Sequence, residues 1–170
     1  MHEISDHGAV ITEDELTGLI QENRREMYYF AMSMIANPTE AQDVVSEAIM
    51  RAFEHRHQLR KKDSAKAWLM QIVANEAKKI LRGRKRIVLL DAMELEQSSE
   101  EGESYEDVWH YIQALPSPFQ SVTVLYYYDQ LSVEEIAKIL NVSAGTVKSR
   151  LSRSRAKLAE MMERDGYSYE

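Results

Sequence analysis

Apolar residues recur along this chain at helical spacing, in separate blocks. After Thr12, the residues Leu16, Leu19, Ile20, Met27, Phe30, Ala31 and Met34 fall on one helical face, as a period of about 3.6 residues requires. A second block is apolar at 41, 44, 45, 48, 49, 52 and 53. A third runs through Trp68, Leu69, Ile72, Val73, Ala77 and Ile80, and its spacing assigns Trp68 to the core. Periodicity fades after Ile87, resumes near Tyr105, breaks at Pro116-Ser117-Pro118 and resumes through Tyr128. Two shorter blocks follow: Val133, Ile136, Ala137 and Leu140, then Val147, Leu151 and Leu158.

Start signals precede these blocks. Thr12 with Glu15, and Ser132 with Glu135, are capping boxes in which hydroxyl and carboxylate each satisfy an amide that the helix leaves orphaned. Asn37-Pro38-Thr39-Glu40 supplies an asparagine cap, a proline at the first helical position and a glutamate at the third. Asp63 or Ser64 is the expected cap of the third helix, and Ser143 that of the last. Asn141 stands where the chain turns between the two short blocks, and asparagine tolerates the left-handed conformation.

Composition fits this picture. Gly (6) and Pro (3) are scarce in 170 residues, and strong helix formers abound. The expectation is an all-α chain of two small helical domains, 12–86 and 105–164. A loose segment (1–11), a flexible acidic linker (87–104) and a tail (165–170) complete it. Cysteine is absent, which excludes disulfides, thiolate zinc sites and cysteine nucleophiles. No apolar run approaches the roughly 20 residues of a membrane span, and the N-terminus is acidic rather than signal-like. A cytoplasmic protein without membrane insertion is expected.

Charge changes the picture more than its total of −7 implies. From Arg51 to Arg86 there are 12 Lys and Arg against 3 acids, a local +9, which leaves −16 for the rest. Asp91 to Asp107 holds eight acids and no base. Such segregation points to two contact surfaces for one polyanion. The second surface lies at Ser132–Leu158, where the blocks, the turn and the charge together read as a helix-turn-helix with a basic second helix. No acid interrupts Asn141 to Ala159, and Lys148, Arg150, Arg153, Arg155 and Lys157 line the faces away from the apolar stripe.

No catalytic constellation stands out. The five histidines are scattered, His55 and His57 do not share a helical face, and there is no Gly-rich phosphate loop. No enzyme activity, cofactor or metal is expected.

Three segments together resemble the extracytoplasmic-function class of bacterial sigma factors, in the sigma-70 family. They are NPTEAQDVVSEAIMRAF, AWLMQIVANEAKKILRGRKR and LPSPFQSVTVLYYYDQLSVEEIAKILNVSAGTVKSRLSRSRAKL. The resemblance implies an RNA polymerase subunit that directs promoter-specific initiation and is commonly held inactive by an anti-sigma factor. Residues 12–86 would be region 2, a three- to four-helix bundle, and 105–164 region 4, the helix-turn-helix.

By position, Gln42, Asp43, Ser46, Glu47 and Met50 would dock on the clamp helices of the polymerase β′ subunit, with region 4 on the β flap. The loop from His55 to Ser64 and the next helix would read the −10 element. Asn75 would hold an extruded base there, and Lys78, Lys79, Arg82, Arg84, Lys85 and Arg86 would hold the strand. A pocket for a flipped base offsets the unstacking cost of opening a duplex, and an asparagine offers both donor and acceptor to a base edge.

Lys148, Ser149, Ser152 and Arg153 would enter the major groove at the −35 element, with Arg150, Arg155 and Lys157 on phosphates. Tyr126, Tyr127 and Tyr128 depart from the basic residue that many such factors place there; the tyrosines either pack or donate hydroxyls to phosphate. The competing expectation is an autonomous regulator that binds an operator without polymerase. Symmetric operators call for a dimer, however, and no heptad seam is evident. An adaptor whose basic faces meet acidic proteins is a third reading, but it would not need two reading domains spaced by a linker.

Overall fold

The first helix, α1 (Glu13–Ile35), starts where the capping box places it: Glu15 N–H donates to Thr12 Oγ1 at 3.2 Å, and Thr12 N–H to Glu15 Oε2 at 2.8 Å. The structure is a computed structural model that describes residues 10–88 and 106–167, with 85–88 and 106–107 described for their helical backbone alone. Helix α2 (Pro38–His55) opens on Asn37, whose side chain accepts from Glu40 N–H at 3.0 Å. Helix α3 (Ala65–Val88) follows two short 3-10 turns, Arg56–Gln58 and Lys62–Ser64. Here the expected cap is corrected. Neither Asp63 nor Ser64 caps α3 with its side chain; the 3-10 turn runs straight into the helix, with Ser64 N–H on the Lys61 carbonyl at 3.1 Å.

Helices α1, α2 and α3 pack against one another around Leu16, Met27, Phe30, Val44, Leu69, Met70 and Val73, all buried. Trp68 is half-buried against this core, as its spacing requires. Ile11, at the end of the segment expected to be loose, is buried in the same cluster. The first-turn acids of α1 also hold the loop before α3, through Glu13 with Arg56 at 2.8 Å and Glu15 with Lys62 at 2.7 Å. The Lys62 ammonium beside Glu15 holds that carboxyl down at about 2.

The second half comprises α4 (Glu106–Gln113), α5 (Ser117–Thr123), α6 (Val133–Leu140) and α7 (Ala144–Arg164). The proline break separates α4 from α5 as expected. A π-helical turn, Val124–Tyr128, extends α5; the sequence does not announce it. Of the linker expected over 87–104, residues 87 and 88 end α3 and the remainder lies outside the described residues. So do 1–9 and 168–170.

The two halves do not stand apart. Helix α1 packs against α5 and the π turn, and α3 packs against α6. Gln130, exposed in the turn between the π segment and α6, adopts a left-handed φ of 54°. That conformation costs a side-chain-bearing residue about 1–2 kcal/mol, partly offset by the greater chain entropy glycine would lose on folding. Gln130→Gly is therefore expected to stabilise the fold by roughly 0.5–1 kcal/mol, read as a higher urea midpoint. A lower midpoint would show that the side chain contributes more than the backbone strain removes.

Candidate nucleic-acid interface

Helix α7 is built to present one charged face. Ser132 and Glu135 close the capping box of α6, with Glu135 N–H on Ser132 Oγ at 3.2 Å and Ser132 N–H on Glu135 Oε2 at 2.8 Å. Asn141 then takes the left-handed conformation (φ 55°) that ends α6. Ser143 caps α7 by accepting from Thr146 N–H at 3.1 Å. Val147 and Leu151 are buried between α7 and the elements beneath it.

Ser154, which the apolar pattern did not single out, is fully buried and its hydroxyl reaches the Arg150 carbonyl at 2.8 Å and the Phe119 carbonyl of α5 at 3.3 Å. With that face fixed inward, Lys148, Ser149, Ser152, Arg153, Arg155 and Lys157 are exposed and Arg150 is half-buried. The five cations there set a positive potential over the faces of α7 that point away from the core.

The tyrosine run divides by position. Tyr128 packs edge-on to Tyr29 of α1 at 5.6 Å and to Trp109 of α4 at 6.4 Å. Tyr127 is exposed, and its hydroxyl accepts from Arg155 Nη1 at 3.3 Å; Tyr126 is exposed beside it. Tyr127 is thus a neighbour of the α7 cations that charge counting alone missed.

On α3 the candidate residues separate. Asn75 is exposed, its Oδ1 accepting from Gln71 Nε2 at 3.1 Å, and Arg82 is exposed on the same helix. Lys79 pairs with the buried Glu76 at 2.7 Å. Lys78 Nζ donates to the Ile139 carbonyl of α6 at 3.3 Å. Arg84 is turned inward to the Ile35 carbonyl at 3.0 Å and to the Glu40 carboxylate, so it clamps the end of α1 to the start of α2. The side chains of Lys85 and Arg86 lie outside the described residues.

On α2, Gln42, Asp43, Ser46 and Met50 are exposed, Met50 by 57%. Glu47 is half-buried and paired with Arg51 at 3.3 Å. Gln42 and Ser46 border an open groove of about 680 Å³ between α1 and α2, with Arg24, Arg25 and Tyr28 on its other side.

Comparison with known proteins finds relatives of the chain over most of its length. The family model "Sigma-70 region 2" matches residues 19–87, and "Sigma-70, region 4" matches 100–158. The RNA polymerase sigma factor SigV of Bacillus subtilis is 29% identical, across 84% of this chain and 88% of the relative. The RNA polymerase sigma-E factor of Streptomyces antibioticus is 31% identical, across 76% of this chain and 74% of the relative. Among solved structures, the sigma factor RpoE bound to the anti-sigma factor NepR, from Bartonella quintana, superposes with a TM-score of 0.66 at 24% identity. The match covers 86% of this chain and 98% of that one.

Proposed function

The chain belongs to the extracytoplasmic-function group of the sigma-70 family, and from that premise we propose how its surfaces divide the work. It binds core RNA polymerase and directs initiation at promoters with a −10 and a −35 element. The observation that carries this reading is the pairing of two basic helices, α3 and α7, on different helical units, each with exposed polar side chains able to meet base edges.

Asn75 holds an extruded −10 base, with Arg82, Lys78 and Lys79 along the strand. Arg84 already has protein partners and contributes by fixing the helix rather than by touching DNA. Lys148, Ser149, Ser152 and Arg153 read the −35 major groove, while Arg150, Arg155 and Lys157 hold phosphates. The α2 face with Gln42, Asp43, Ser46, Glu47 and Met50 docks on the β′ clamp helices. Regions 2 and 4 correspond to 12–86 and 105–164, joined by the acidic linker. Chemistry at the growing RNA belongs to the polymerase, so this chain itself is not an enzyme. Its place of work is the cytoplasm, and among the described residues no helix is long and apolar enough to cross a membrane. An anti-sigma factor holds it inactive, as NepR is named to pair with the similar RpoE.

The test is transcription with purified bacterial core polymerase. Specific initiation should depend on this chain, and the chain alone should bind promoter weakly or not at all. Twofold binding to a palindrome without polymerase would support the regulator instead. Within the assay, Arg153→Ala should lose discrimination at one −35 position by about 1–3 kcal/mol, roughly 5- to 150-fold, with polymerase affinity unchanged. Equal loss of both would contradict the division of labour. Three phosphate contacts, by Arg150, Arg155 and Lys157, should give a slope of about −2.7 in log affinity against log salt, from roughly −0.9 per contact.

A further inference from the structure

Region 4 is docked on region 2 through a seam of polar and aromatic contacts. The hydroxyls of Ser33 (α1) and Ser121 (α5), both buried, share a hydrogen bond at 3.0 Å. Trp109 of α4 stacks on Tyr29 of α1 with ring centres 4.2 Å apart. Lys78 of α3 is spent on the Ile139 carbonyl of α6.

Asp129, at the end of the π turn that faces α1, is the exception in this seam. It is 1% exposed, and neither carboxylate oxygen has a hydrogen-bond partner among the described residues. Glu26 of α1 has its Oε2 buried and equally unpartnered, and its charge acts on Asp129 across the seam. A buried carboxylate without donors is costly when ionised, and the charge of Glu26 adds to that cost.

We propose that the docking of region 4 on region 2 is a proton-linked latch, closed while the buried Asp129 carboxyl carries a proton and released when that carboxyl ionises. Release takes the proton to water and frees Lys78 and α6 together.

The surroundings set the direction. Glu26 from α1 opposes ionisation of Asp129 and Lys66 from α3 favours it. Helix α5 carries no titratable side chain, and Glu135 of α6 is closed on the Ser132 amide. Burial first, then Glu26, pushes the Asp129 carboxyl up to about 7 from an ordinary 3.8. An acid raised in the closed state favours closure fully below its open-state value and loses that contribution as pH rises through its closed-state value. The window therefore runs from about 4 to about 7, and across it the closed-to-open ratio should fall roughly a thousandfold, tenfold for each pH unit of difference.

What release is for rests on the sigma-factor reading. The latch itself is read on the free full-length chain, so the two can fail separately. In a Trp68→Phe background Trp109 is the only indole. Its fluorescence, the radius of gyration from small-angle scattering and the far-UV circular dichroism are followed from pH 5 to 8.5. Trp109 should leave Tyr29 and the radius should grow as pH rises, with helical signal constant. Asp129→Asn should stay closed throughout. Glu26→Gln should move the midpoint down, and Lys66→Met should move it up. A signal borne by the neighbouring His110 would survive Asp129→Asn. A wild-type profile in Asp129→Asn, a constant radius, or a transition that tracks loss of helix would each overturn the latch.

Discussion

With Ser33→Cys and Ser121→Cys introduced together and oxidised, promoter-specific transcription should fall to below about one per cent of the reduced sample and recover on reduction. The two hydroxyl oxygens lie 3.0 Å apart across the seam between α1 and α5, so sulfurs at these positions come within bonding reach after a small side-chain rotation. The chain has no cysteine of its own, so no competing pair can form. The positions are 88 residues apart; closing a loop of that length adds about 4–5 kcal/mol to fold stability in the chain-entropy account, and the bond itself ties α1 to α5.

Function fails there for a reason of size. A folded chain of this length has a radius of gyration of about 15 Å, hence a diameter of about 40 Å. The −10 and −35 elements are centred about 25 base pairs apart, or about 85 Å at 3.4 Å per base pair. One closed body cannot reach both. Each single substitution should keep full activity under oxidant, and full activity in the oxidised double variant would show that docked halves can still serve the promoter.

Phe30→Ala should cost about 3–5 kcal/mol of stability, the range for removing a fully buried aromatic side chain. Phe30 is completely buried in α1, and α1 packs against α2, α3, α5 and the π turn alike. A cavity there loosens region 2 and the surface on which region 4 docks. Against the 5–15 kcal/mol typical of a folded domain, the loss should lower the denaturation midpoint markedly with little change in m. A cost under about 1 kcal/mol would mean that the site collapses to fill the void and that α1 is not the hub its contacts make it.

Legibility followed range along the chain. The α7 surface could be anticipated residue by residue, because the Ser132–Glu135 box, the Asn141 turn and the Ser143 cap each join groups within about one helical turn of each other. With those fixed, the apolar stripe of Val147 and Leu151 decides which way Lys148, Ser152 and Arg153 face. The α3 candidates were read less well. Arg84 looks like any other member of a basic run until Ile35 and Glu40, more than 40 residues away, are brought beside it. Lys78 likewise meets Ile139 only through the docking of α6, and the expected Asp63 or Ser64 cap gave way to a 3-10 turn.

The sequence alone therefore determined the helices, most of their caps, the segregation of charge and the outward face of the reading helix, since all of these arise from periodicity and from neighbours within one helical turn. Only the tertiary structure decided the π turn at Val124–Tyr128, the left-handed Gln130 and the burial of Asp129 against region 2. Such features arise among contacts like that of Tyr128 with Tyr29, 99 positions apart, and a pairing of that kind leaves no periodic trace in either partner's own segment.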